Sequence, residues 1–475
     1  MRYQIPAIFW ICAALLSPSL SFAQETTEQA VVNDTEISPE GLKAAFEQQQ
    51  WDKALEISSK LLESAPDDLN YLSIQGIAYA QKDQNEAAEQ VFLKIDKLSP
   101  DDPQNAGNLC YAQHNLARRN ALDTCLRAAK LNPDKAAINF MAGQMLENAN
   151  RLDEAEKAYE TAVNLEPDNI QYLTSLTNIN YMQQNYRKMA DNTEAALKRG
   201  MESPILYLNL LSALKLLGEY EKAIEWADRG IEKYHDPGIV LSKGEALYRL
   251  NRIEEAGKLL RDANKAIDKK SVLWPRSTYY LARVMLIEPC SQAENGVCDT
   301  SEDACCIKAQ EATTLLESIG NLSSLLNDSN YDVFTGLAQM LSGDLEKAEA
   351  TLSKAVHNNM NQDNASALAA LAVTLYQFND PKDKTAALQY YRQALDASVD
   401  FSDMQKIRNT RQWPDKAVEI LSQIKAESEK PAKSKSGCGC EIAVPDSGNT
   451  IPMAGLLGML FALAGMLGLR RRHLS

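Results

Sequence analysis

Four prolines, Pro66, Pro100, Pro133 and Pro167, stand 34, 33 and 34 residues apart, and each falls in a similar phrase: ESAPDD, KLSPDD, KLNPDK and NLEPDN. A period of this length constrains the fold more than any other feature of the chain. Each unit has room for one supersecondary element, which cannot bury its own apolar face, so neighbouring units must stack. Proline cannot continue a helix interior and disfavours helical geometry in the residue before it, so it marks unit boundaries. A length of 475 residues would otherwise suggest several globular domains. A repeating chain instead grows by adding units, without a larger single core.

Aligned on the prolines, residues 69–102 read LNYLSIQGIAYAQKDQNEAAEQVFLKIDKLSPDD and residues 136–169 read AAINFMAGQMLENANRLDEAEKAYETAVNLEPDN. This pattern resembles the tetratricopeptide repeat, a pair of antiparallel helices. In the first unit Gly76, Tyr79, Ala88, Phe92 and Pro100 fall at the family positions, and in the second Gly143, Ala155, Tyr159, Ala162 and Pro167 do. The small residues let two helices approach closely, and the aromatic on the second helix fills the gap toward the next unit. The same register continues with weaker signatures at Trp51 and Ala54, Met189 and Ala196, Ala223, and Ala256. It resumes at Gly336 with Ala348 and Ala355, then at Ala370 with Ala386 and Ala394. The expected fold is all-α, a tetratricopeptide-type α-solenoid over residues 38–427 with about ten helix pairs and essentially no β-sheet. A closing helix over 414–425 would cover its last apolar face.

The two ends point to export and anchoring. Residues 1–23 carry Arg2, an apolar stretch from Ile5 to Leu16 and the small-x-small site Ser21-Phe22-Ala23, the layout of a secretory signal peptide. Residues 24–37 read as a flexible linker. At the other end residues 451–469 carry no charge and are long enough for a transmembrane helix, followed by a basic tail, 470–475, with Arg470, Arg471 and Arg472. By the positive-inside rule this tail stays cytoplasmic and the body lies outside, as the signal peptide also requires. Between body and span, residues 428–450 form a linker containing Cys438 and Cys440. The order cysteine pair, spacer, apolar span, arginine cluster resembles the MYXO-CTERM sorting tail of myxobacterial surface proteins. That resemblance implies removal of the span and anchoring through the cysteine region. Composition alone implies only a membrane anchor. Either way the expected place is the bacterial cell envelope, periplasmic or surface-exposed.

Six cysteines lie in the body: Cys110, Cys125, and Cys290, Cys298, Cys305 and Cys306 in or beside an insertion over 288–306. An even number in an exported chain points first to disulfides. Cys110 takes a close-packing position on the first helix of its unit and Cys125 the aromatic position on the second, so these two are expected to face each other. The insertion cysteines could instead bind a metal or act as a redox pair at Cys305 and Cys306. Their spacing lacks the paired C-x₂-C knuckles of a zinc site, so no metal ligand set is assigned.

No catalytic constellation is apparent. The four histidines, His114, His235, His357 and His473, form no metal-binding spacing, and there is no glycine-rich phosphate loop or nucleophile elbow. The chain is therefore expected to be non-enzymatic and to use no cofactor. A net charge of −15 repels phosphate backbones, which argues against nucleic acid. In the family that the repeats resemble, ligands lie along the concave face built by the first helices. The register then implies that Phe140, Gln144, Glu147, Gln171, Thr174, Asn178, Tyr181, Tyr248 and Arg249 face that groove. Amides and tyrosines suit an extended peptide. The leading expectation is an envelope scaffold or adaptor for an exported protein or peptide. The alternative is a carbohydrate-binding module in exopolysaccharide assembly or export, which stacked surface aromatics would favour.

Overall fold

The proline phrases do two jobs. Each ends one helix, and three of the four supply the side-chain cap of the next: Asp68 accepts hydrogen bonds from the backbone N–H groups of Asn70 and Tyr71, Asp102 from Gln104, and Asn169 from Gln171 and Tyr172, whereas Lys135 makes no such bond. These side chains satisfy N–H groups that a helix start leaves without partners. Pro103, Pro204, Pro237 and Pro381 sit in the first turn, where the missing N–H costs nothing.

The computed structural model describes residues 37–287, 304–326, 328–358, 364–378 and 380–430. Every regular element among them is helical. Ten antiparallel pairs follow one another: Pro39–Glu47 with Trp51–Ser64, Leu69–Gln81 with Asn85–Leu98, Pro103–Asn115 with Ala121–Leu131, Ala136–Asn148 with Leu152–Leu165, and Ile170–Met182 with Tyr186–Lys198. They continue with Pro204–Leu216 and Tyr220–Tyr234, Pro237–Arg249 and Ile253–Ala266, Trp274–Ile287 and Ala304–Ser318, Tyr331–Leu341 and Leu345–Asn358, and Ala365–Gln377 and Pro381–Ala397. A last helix, Asp415–Ser428, packs on both helices of the tenth pair. The array is one unit ending at Ser428, and only 429–430 of the following unit are described.

The two helices of a pair are buried differently. The first helix is packed on two sides, against its own partner and against neighbouring pairs; in the fourth pair it buries Ile138, Phe140, Met141, Ala142 and Leu146. Its partner buries a single stripe, Ala155, Glu156, Tyr159 and Ala162, and shows water the rest. The first helices thus form an inner layer and the second helices an outer one.

Close approach within a pair depends on glycine. A Cβ on Gly143 would lie 2.6 Å from a ring carbon of Tyr159, and one on Gly76 would lie 2.5 Å from Phe92. In the third pair the equivalent positions hold Cys110 and Cys125, and the structure joins them in a disulfide with Cα atoms 4.8 Å apart. A covalent link thus replaces the glycine–aromatic contact. Cys306 is buried and also disulfide-bonded, whereas Cys290, Cys298, Cys438 and Cys440 lie outside the described residues. So do the segments expected to form the signal peptide, both linkers apart from their innermost residues, the span at 451–469 and the basic tail. Among the described residues no helix is long and apolar enough to cross a membrane.

First helices end in left-handed turns that recur with the repeat. Asp83, Ala117, Asn150, Gln184 and Asn251 all have φ between 50° and 60°. In each, the next residue's N–H bonds back to the carbonyl five residues earlier, for example Gln84 to Tyr79 at 2.9 Å and Arg118 to Gln113 at 3.0 Å. Alanine is the poor choice at this position, because its Cβ crowds a carbonyl in the left-handed region. Ala117→Gly is expected to stabilise the array by roughly 0.5–1 kcal/mol, part of the relieved strain being offset by the entropy of glycine in the unfolded chain. Thermal unfolding of the two forms checks this, and a lower midpoint for the glycine variant would refute it.

Candidate ligand groove on the first helices

Residues almost two hundred positions apart meet on the inner layer. Tyr181, Leu216 and Arg249 come from the last turns of the first helices of pairs five, six and seven. Arg276, Tyr279, Tyr280 and Arg283 come from pair eight, Phe334 from pair nine and Ser366 from pair ten. Together with Leu325, Leu326, Asp328, Ser329 and Asn330, and with Thr410, Arg411 and Trp413, they line a cavity of about 620 Å³. That is within the ordinary size for a bound ligand.

The far wall is not built from repeats. After the tenth pair the chain makes a short 3₁₀ turn, Val399–Ser402, one helical turn at Met404–Lys406 and a π-helical turn, Ile407–Arg411, and Gln412 then adopts φ 55° and ψ 48°. This strap is anchored by two buried rings, Phe401 and Trp413, with centroids 5.7 Å apart, and by the Tyr391 hydroxyl donating to the Phe401 carbonyl at 3.1 Å. Gln412 Nε2 donates to the backbone carbonyl of Tyr248 in the seventh pair, so the strap reaches back across three pairs. A left-handed glutamine beside a π-turn is strained backbone, tolerated where surrounding contacts hold it.

Guanidinium groups dominate the cavity wall. Arg249, Arg276, Arg283 and Arg411 line it against one carboxylate, Asp328. Arg283 is only 3 % exposed and lies among aromatic rings, its guanidinium carbon 3.9 Å from the Phe334 centroid, 4.9 Å from Tyr248 and 5.3 Å from Tyr279. Such ring faces attract a desolvated cation. Its carboxylate partner sits at the long end of hydrogen-bond distance: Arg283 Nη1 is 3.5 Å from Asp328 Oδ2, which also accepts from the Tyr279 hydroxyl at 3.0 Å. Burial alone would raise the Asp328 carboxyl. The Arg283 charge, the Asn330 N–H and the Tyr279 hydroxyl together hold it below the usual range. Arg283 Nε is buried without a hydrogen-bond partner, and burial pushes the pKa of the neighbouring Tyr248 hydroxyl up to about 12, although the Arg283 charge opposes this.

The other three cations are held differently. Arg276 bonds to Glu245, with Nε to Oε1 at 2.5 Å and Nη2 to Oε2 at 2.9 Å. Glu245, 2 % exposed, also accepts from Lys215 Nζ at 2.5 Å, so one carboxylate serves two cations. Arg411 donates to Ser366 Oγ at 2.8 Å, stacks on Phe401 and lies 3.5 Å from Asp400, which Lys406 already pairs at 2.6 Å. Arg249 is exposed, and no carboxylate of the described residues lies within ion-pair distance of it. The cavity rim is apolar: Tyr181, Leu216 and Leu325 are 47 %, 48 % and 54 % exposed.

Of the residues read from the register as facing the groove, Tyr181 and Arg249 line this cavity. Two expectations are corrected. Phe140 is buried, its ring 4.7 Å from Tyr172 and 5.5 Å from Tyr159, and Tyr248 is fully buried beneath Arg283. Both fill the gap between neighbouring pairs, because a first helix packed on two sides has little room for an exposed ring. Asn178 is exposed, while Gln144, Glu147, Gln171 and Thr174 are half-buried. Glu147 accepts from the Tyr159 hydroxyl at 2.7 Å, and Thr174 bonds to its own helix at the Ile170 carbonyl. Sequence reading missed Arg276, Arg283 and Arg411. The first two precede the insertion that obscures the register, and the third lies in the strap. The run YYLAR at 279–283 was the available signal, since arginine on an inner helix needs a reason.

Tetratricopeptide repeat models match residues 42–103, 115–170 and 335–399, and a second such model matches 205–232. The chain therefore carries tetratricopeptide repeats. All four cavity arginines fall outside the matched stretches. Among solved structures, a crystal structure of MamA protein is 18% identical over 41% of this chain and 91% of that one, with a TM-score of 0.29. MamA from Desulfovibrio magneticus is 21% identical over 34% and 93%, with a TM-score of 0.31. A tetratricopeptide repeat protein from Parabacteroides merdae is 12% identical over 52% and 96%, with a TM-score of 0.34. No curated protein matches the chain.

Proposed function

We propose that this tetratricopeptide-repeat chain is a non-enzymatic scaffold of the cell envelope, exported by its signal peptide, anchored at its C-terminal end, and holding a segment of another exported protein in the groove on its first helices. The observation that carries this reading is the cavity: residues from six successive pairs and the strap converge on a space sized for a few residues of peptide, with an apolar rim and hydrogen-bond donors inside. Among the described residues no group of three or more His, Cys, Asp or Glu side chains is placed to hold a metal ion.

The carbohydrate alternative is weaker for a specific reason. A sugar platform needs exposed ring faces, but of the aromatic residues that line the cavity, Tyr279, Tyr280, Phe334 and Trp413 are buried and Tyr181 is open. In-cell photo-crosslinking tests the scaffold reading. A photoreactive residue at Tyr181 or Leu216 should capture a discrete exported protein, and one at Val272, which is 74 % exposed and outside the cavity, should not. Equal capture at all three positions, or adducts with polysaccharide alone, would remove the proposal.

A further inference from the structure

The cavity's charge says more than that something binds there. Four guanidinium groups line this small space with one carboxylate among them; Glu245, which pairs Arg276, is shared with Lys215, and Asp400, 3.5 Å from Arg411, is shared with Lys406, so the wall keeps a cationic excess. A net charge of −15 makes the contrast sharper, because the rest of the surface had acids to offer and the cavity wall received one. Buried cations are ordinarily paired and fully hydrogen-bonded, since an unpaired polar atom away from water costs free energy. Arg283 breaks that rule: it is nine-tenths buried or more, lines the cavity, and keeps Nε without a partner. At the mouth, Arg249 has no carboxylate of the described residues within ion-pair distance. These features make sense together if the missing acceptors arrive with the ligand.

We infer that the cavity selects an acidic peptide segment with apolar neighbours, its carboxylates meeting Arg249, Arg276 and Arg283 while apolar side chains rest on Tyr181, Leu216 and Leu325. The inference rests on the scaffold reading and names the chemistry of its ligand. Arg411 makes the strap part of the site. Residues outside the repeats, held by Gln412 on the seventh pair, complete a wall that the repeat units alone leave open. Guanidinium is suited to this work because it stays charged and binds a carboxylate with two parallel hydrogen bonds.

The test uses the full-length chain in detergent and a fluorescein-labelled hexapeptide amide of alternating leucine and glutamate, beside its leucine–glutamine counterpart. By fluorescence anisotropy the glutamate peptide should bind at least tenfold more tightly, and the preference should shrink as salt is raised. R249Q with R276Q should weaken the glutamate peptide at least tenfold and leave the glutamine peptide little changed. R411M, a strap variant, should weaken it severalfold, and R151Q, on an exposed arginine of the fourth pair, should not. Circular dichroism excludes unfolding as the cause. Equal affinity for the two peptides, binding of neither, or indifference to R249Q/R276Q in a folded protein overturns the inference. If crosslinking at Tyr181 still captures an exported protein, the scaffold reading survives and only the charge selection falls.

Discussion

Replacing Glu245 by glutamine should lower the unfolding free energy by about 3–5 kcal/mol, because it removes one member of a buried charge group and leaves the others. Glu245 is almost wholly buried and holds Lys215 on one side and Arg276 on the other, the lysine side chain itself 13% exposed. In Glu245→Gln the lysine must stay charged without a counterion or give up its proton. The double variant Glu245→Gln/Lys215→Met should recover much of the loss, since it removes the stranded ammonium along with its partner. Chemical denaturation at neutral pH measures both. A single variant within 1 kcal/mol of the parent would mean water reaches this cluster.

The same carboxylate gives a pH signature. Burial on its own would raise the Glu245 carboxyl, but the Lys215 and Arg276 charges and their hydrogen bonds outweigh it and hold it below the ordinary 4.5. A depressed folded-state pKa contributes stability that is fully present above the unfolded value and is lost as pH falls through the folded one. The parent should therefore lose stability on acidification below about pH 4.5 more steeply than Glu245→Gln.

Breaking the Cys110–Cys125 bridge should cost about 3 kcal/mol, the chain-entropy value for a loop of this size, which spans 15 residues. Thermal unfolding of Cys110→Ala/Cys125→Ala, compared with the parent with and without reductant, reads it directly. A second variant is more diagnostic. Cys110→Gly/Cys125→Tyr rebuilds the contact that Gly143 and Tyr159 make one unit later, and burying a ring in that gap should return about 1.5–3 kcal/mol. It should also be indifferent to reductant. If it is no more stable than the double alanine, the third pair's spacing is set by the bridge and differs from its neighbours.

The repeat itself was legible from residue pattern because its causes are local. A proline phrase that ends one helix and caps the next, a glycine facing an aromatic sixteen residues on, and a turn that demands a left-handed residue all act within one unit. Each therefore leaves its mark at a fixed period. The facing of Cys110 and Cys125 followed from the same register, since each occupies a position whose partner is known from the units on either side.

The groove was legible only in outline. Which helices line it follows from the period, and Tyr181 and Arg249 were found that way; Phe140 and Tyr248 were not, because the period tells which way a side chain points and not how deeply the neighbouring pair covers it. The arginine pocket was beyond reach for a different reason. Arg249, Arg276, Arg283 and Arg411 come together through the stacking of successive pairs and through a strap that returns across them to Tyr248, 164 residues away from Gln412. No local rule links positions so far apart in the chain. The helix pairs and their order were decided by the sequence one unit at a time, and the convergence of four cations on one cavity was decided only when those units were packed.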